Sequence, residues 1–196
     1  VSANLQGRRA LGIYSGAPQV TTIPVSTSQD NRREVEVAAE LLQPWELRVR
    51  VTMRLVGVEA ARLRRTLRSQ SERERKDSFQ SDMNDRMMGV EVEDLVIEGL
   101  QDSSTPLVVT FSYRVKAADS TGTPMIRVGA LMPLSRVPLL PAGSRSTPVW
   151  LPWARTEAYQ AKLRLPPTLA VKGTPPAATM ASAEDLDWRG ECKVGQ

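Results

Sequence analysis

Apolar and polar residues trade places at every second position along two consecutive stretches of the chain. Val35, Val37, Ala39 and Leu41 alternate with Glu34, Glu36, Ala38 and Glu40. After Gln43-Pro44, Leu47, Val49, Val51, Met53 and Leu55 alternate with Glu46, Arg48, Arg50, Thr52 and Arg54. Side chains of a strand point alternately to its two faces, so both stretches are predicted to be strands with one buried and one wet face. The link between them is too short for a parallel crossover, which makes the pair an antiparallel hairpin. Its wet face sets Glu against Arg, an attraction of roughly a few tenths of a kcal/mol per pair.

The period then changes. Ala60, Leu63 and Leu67 recur at helical spacing, Ser71 and Glu74 form an S-x-x-E capping box, and Phe79, Met83 and Met87 follow every fourth residue. This predicts a helical insertion over about residues 59–88, broken near 69–71, with a Met/Phe stripe packed against a sheet. Strand pattern returns at 90–97, again at Leu107, Val109, Phe111, Tyr113 and Val115, and at Ile126, Val128 and Ala130. Residues 131–153 are punctuated by prolines, as in edge strands and extended loops, and Tyr159, Ala161, Leu163 and Leu165 alternate once more. Before all this, short apolar runs at 10–14 and 20–25 flank a Gly-Ala-Pro turn. So many one-faced strands are buried most naturally in a mostly β fold, an antiparallel β-sandwich with one inserted helical segment. Residues 1–31 are expected to be lead-in strands and linker from an upstream domain, 32–172 the sandwich, and 173–196 a polar tail, truncated or disordered.

Composition narrows the chemistry. Hydrophobic residues make up 41% of the 196 and aromatics 5%, so the core must be built mainly from Val, Leu and Met. No histidine occurs anywhere in the chain. That excludes Cys-His and Ser-His relays and leaves no general base that titrates near neutrality without a large shift. The single cysteine, Cys192, cannot close an internal disulfide, and one thiolate does not make a structural metal site. No phosphate-binding loop, dinucleotide fingerprint or nucleophile elbow is present. No catalytic residue, cofactor or metal is therefore expected, and the chain reads as a non-enzyme.

The net charge is +4, yet the arginines of 62–75 are interleaved with or followed by Glu72, Glu74 and Asp77 and lack aromatic partners. A solvated helix face is the better reading than a nucleic-acid surface. Of the acidic group Glu91, Glu93 and Asp94, the first two lie on the outward face of a strand whose Val90 and Val92 point inward, and Glu184, Asp185 and Asp187 lack the glycine of a calcium loop. The most apolar stretch, 128–141, is broken by Pro133, Arg136 and Pro138 and is too short to span a membrane. Trp150 and Trp153, set among prolines, are the candidate interaction surface, able to stack on a sugar or to anchor an interface.

The phrase Asn4-Leu5-Gln6-Gly7-Arg8-Arg9-Ala10-Leu11 is followed by Asp30-Asn31-Arg32-Arg33 at the head of an alternating strand. The helix 62–75, Thr147-Pro148 and the strand end Leu163-Arg164-Leu165-Pro166 complete the series. In that order, over most of residues 3–172, the chain resembles the region following the core in bacterial transglutaminase-like proteins that carry an N-terminal all-β domain. The resemblance implies a trailing β-sandwich of an exported parent, periplasmic or secreted. It also implies a role packing beside the core or presenting substrate to it. The partner would be that upstream core or another protein, with no nucleic acid and no membrane span. The core's Cys-His-Asp triad has no counterpart here. The alternative is a free-standing glycan- or peptide-binding module.

Overall fold

The computed structural model describes residues 5–13, 18–42, 45–85, 87, 89–116, 126, 154–169, 179–183 and 186–191. The chain divides into two compact units, Val1–Arg164 and Leu165–Gln196. In the first, β1 (Arg9–Gly12) pairs antiparallel with β2 (Gln19–Thr22). Then come β3 (Arg32–Leu42), β4 (Glu46–Leu55), α1 (Val58–Arg68), α2 (Glu72–Asn84), β5 (Glu91–Glu98), β6 (Leu107–Lys116) and β7 (Thr156–Arg164). The last five strands form one sheet in the order β5-β6-β4-β3-β7. In the second unit β8 (Thr179–Ala183) and β9 (Leu186–Gly190) make an antiparallel hairpin, so strands form within the stretch read as a polar tail. The fold is mostly β, with a two-helix insertion where the sequence placed it.

The alternation translates directly into the core. Val35, Val37, Leu47, Val49, Val51, Leu107, Val109 and Phe111 are all buried, along with Ala39, Leu41, Met53, Leu55 and Tyr113. Register sets these residues side by side: Val37 faces Val51, which faces Phe111, while Ala39 faces Val49, which faces Tyr113. On the outer face Glu34 lies opposite Arg54 and Glu40 opposite Arg48, the expected cross-strand charge pairs.

Two features depart from a simple antiparallel meander. First, β7 runs parallel to β3, with Val35 opposite Tyr159, so the sheet is mixed rather than purely antiparallel. A parallel pair demands a long crossover, and residues 117–155 between β6 and β7 provide the length. Second, β5 carries a bulge between Val92 and Leu95, which switches the inward parity from Val90 and Val92 to Leu95 and Ile97. The strand predicted at 126–130 and residues 131–153 lie outside the described residues, Ile126 excepted.

α2 begins with the predicted capping box: the Ser71 hydroxyl accepts from the Glu74 amide, and the Glu74 carboxylate accepts from the Ser71 amide. The Ser71 amide, together with the Ser71 hydroxyl donating to the same carboxylate oxygen, holds the Glu74 carboxyl below its usual range. Phe79 packs on Phe111 with ring centroids 5.8 Å apart and Met83 is buried, so these two members of the stripe face protein, whereas α2 ends at Asn84 and the third, Met87, lies beyond the helix. The Gln80 side chain bonds Val90 O and Val92 N, blunting the outer edge of β5 with its own amide.

α1 has no such local cap. Its N-cap is Gly57, at φ 77°, and the first helical amide, Val58 N, is capped by the Oδ1 of Asn31 from 27 residues away. The same buried amide donates from Nδ2 to Ser26 Oγ (2.9 Å), Thr27 O (3.2 Å) and Ala154 O (3.0 Å). The Asn31 carbonyl receives Thr156 N at the start of β7. Nearby ion pairs chain Arg33 to Glu157, Glu157 to Arg155 and Arg155 to Glu59, joining β3, β7 and α1. Gly57 is required by this knot, because a Cβ there would overlap the Asp30 carbonyl and the Asn31 side chain.

Replacing Asn31 by Ala should cost about 3 kcal/mol, since it strands several buried partners at once. Gly57→Ala should cost about 2–4 kcal/mol through positive-φ strain and overlap. Both are read from urea unfolding midpoints, and a loss under about 0.5 kcal/mol, the range of an ordinary surface substitution, would refute the knot.

Burial also raises the pKa of Tyr113, with the charge of Tyr159 adding to it, and raises that of Tyr159, opposed by Arg33. The folded state thus favours the neutral phenols. Their stabilisation is complete below the unfolded tyrosine pKa of about 10 and is lost as pH rises beyond it. Stability measured by urea at stepwise pH should fall above about pH 10, and Tyr113→Phe should flatten that fall.

Candidate functional site

Arginines expected on a solvated helix face prove to build a cleft. On α1 the positions 61, 64, 65 and 68 share one face at helical spacing, and this face meets the loop joining β5 to β6. Arg64 is only 5% exposed. Its Nε donates to Gly99 O at 2.9 Å and its Nη2 to Thr105 O. Arg68 reaches the same loop, Nε to Leu100 O (2.8 Å) and Nη2 to Gln101 O (2.9 Å). Gly99 permits the close approach: it sits at φ 71°, and a Cβ there would collide with Pro106 O. The loop is braced from within, since the Asp102 carboxylate accepts from Ser104 Oγ (2.7 Å) and Ser104 N (2.8 Å). Those two bonds, assisted by the charge of Arg64, hold the Asp102 carboxyl below its usual range. Between helix and loop lies an open cleft of about 660 Å³ lined by Arg64, Arg65, Arg68, Ser103, Ser104 and Thr105 among others.

A second surface is apolar. Leu11 and Val20 are direct partners across β1 and β2, and they are 59% and 58% exposed. Ile13, Val25 and Leu5 near the hairpin are exposed as well. A two-stranded sheet is marginal in water, and one that displays its large apolar side chains gains little from its own packing. Only Arg8 and Arg9 carry charge in residues 1–29.

Trp150, Trp153 and Cys192 lie outside the described residues, as do the side chains of Glu184, Asp185 and Asp187. The acidic trio of β5 does not assemble as an acid–base pair. Glu93 pairs with Arg114, Asp94 accepts from the buried Ser112 hydroxyl at 3.0 Å across the bulge, and Glu91 is exposed. Among the described residues no cluster of three or more His, Cys, Asp or Glu could hold a metal ion. No described helix is long and apolar enough to cross a membrane. Sequence reading missed Trp45, which sits at φ 68° at the end of the β3–β4 link, a backbone region that bulky residues seldom adopt. The Pro44-Trp45 step after a strand was the available signal. It also missed the cleft, whose partners are backbone carbonyls.

No family model matches this chain, and neither a curated protein nor a solved structure proves similar to it.

Proposed function

We propose that this chain is a non-catalytic accessory domain of a larger transglutaminase-like protein, exported to the periplasm or secreted, that packs beside the core or helps present substrate to it. The observation that carries the reading is the apolar hairpin. Leu11 and Val20 present a paired hydrophobic face on a sheet too small to stand alone, which a neighbouring domain would cover. The absence of histidine from all 196 positions supports a non-catalytic role, since the usual activating base is missing. As architecture, we propose that the five-stranded sheet is one layer of a β-sandwich. Its inner face is fully buried along the central strands, with Val49, Val51 and Phe111 all at 0% exposure, while Leu163 of β7 on the same face is left 37% exposed for a further layer to cover.

A second reading, a free-standing peptide-binding module, is favoured by β7. It is the outermost strand on its side of the sheet among the described residues, and Gln160, Ala161 and Lys162 along it are exposed. An extended peptide could add there as a further strand.

The purified upstream core and this chain should co-elute on size exclusion. The double substitution Leu11→Ser/Val20→Ser should weaken that association by at least about tenfold, or roughly 1.4 kcal/mol. Its circular dichroism and melting temperature should stay near wild type, because the two side chains bury little in the chain alone. Wild-type protein that ignores the core, or a double variant that binds it undiminished, would sink the interface. On its own the chain should neither transfer amines to glutamine nor cleave peptides, and Cys192→Ala should change nothing. Turnover that vanishes with that substitution would restore an enzyme.

A further inference from the structure

We propose that the cleft between α1 and the β5–β6 loop binds a compact ligand carrying two or more phosphate groups. Three arginines, Arg64, Arg65 and Arg68, line it together with Ser103, Ser104 and Thr105, and none of the eleven lining residues is acidic. Guanidinium groups match the oxygens of phosphate better than those of a neutral ligand, and Ser103 adds a hydroxyl residue to the lining, those of Ser104 and Thr105 already donating to Asp102.

The carbonyl bonds of Arg64 and Arg68 do not neutralise the site. Carbonyl oxygens carry partial charge, whereas each guanidinium carries a full one, and no ion pair joins Arg64, Arg65 or Arg68 to a carboxylate among the described residues. Asp102, beside the cleft, offsets one charge in part, and its Oδ1 already accepts both bonds from Ser104. The C-terminal end of α1 adds an opposing field of about half an elementary charge, well short of three cations.

What the carbonyl bonds do is fix direction. Arg64 and Arg68 are held by two bonds each, so binding a ligand costs them little rotamer freedom. Arg65 lies between them on the helix, is exposed, and is the member able to swing onto a ligand. The cleft volume, about 660 Å³, falls in the range of small-molecule sites and leaves room for more than one phosphoryl group.

Titration calorimetry of the full chain with sodium pyrophosphate and sodium orthophosphate, at constant ionic strength, tests the assignment. Pyrophosphate should bind more tightly than orthophosphate, and its affinity should fall with added salt. Arg65→Glu should weaken pyrophosphate binding by at least about tenfold, while Arg73→Glu, the same charge change on α2, should alter it by less than about twofold. Circular dichroism would verify that both variants fold. Three results would each overturn the proposal: no binding of millimolar pyrophosphate, equal affinity for orthophosphate, or equal losses in the two variants.

Discussion

The amide of Asn31 occupies a position where three separate parts of the chain need a polar partner at once. Its oxygen caps the start of α1, its nitrogen holds the 26–30 turn and the approach to β7, and its backbone carbonyl begins the β3–β7 ladder. At 3% exposure such a group is costly unless satisfied, and here both side-chain atoms are. An aspartate of the same shape could accept from Val58 but could not donate to the two carbonyls. The constraint spreads outward through Gly57, which must stay small beside it, and through Asp30. The Asp30 carboxylate is taken up by Thr27 N and Oγ1, which fixes the turn that presents Asn31.

From that anchor α1 is oriented, and with it everything its other end touches. Val58 is tied to Asn31 at the first turn, and Arg64 and Arg68 are tied to the β5–β6 loop farther along. The helix is thus a strut between the start of β3 and the far hairpin of the sheet. Arg75 then takes Leu67 O at 2.8 Å, coupling α2 to the end of the strut, and Gln80 carries the connection on to the edge of β5. Apolar burial supplies most of the driving force. These few directed bonds decide at which angle the helices lie on the sheet.

The contrast between what could and could not be read from the sequence follows the same division. Alternation in β3, β4 and β6 is local, because a strand writes its faces into every second residue, and the buried set was legible position by position. The Ser71-Glu74 box was legible for the same reason. The parity change in β5 was also written there, as Val90 and Val92 giving way to Leu95 and Ile97, a signature of one extra residue. By contrast, Arg64 looked like its neighbours Arg62 and Arg65. What buries it are the carbonyls of Gly99 and Thr105, and every residue has a carbonyl. Parallel pairing of β7 was equally silent, since its alternation names a face but not a neighbour. The apolar hairpin illustrates a third case. Its strands were legible, but its lack of cover is a property of the assembled chain.

The parallel strand has a consequence for the order in which the sheet is acquired. β3, β4, β5 and β6 lie within one stretch of chain, joined by a tight link, two helices and a short loop, and each pairs antiparallel with a partner close in sequence. Strand β7 must instead return across the whole of that stretch to set Thr156 beside Arg32. Loop closure over so long a path is entropically unfavourable and is compensated only when the pairing is complete, so non-local strands are gained late and released early. Asn31 bonds both α1, the helix that follows β4, and the entry to β7, and its last partners arrive only with that strand. The amide therefore behaves as a clasp: half engaged while residues 32–116 assemble, and closed only when the final strand docks.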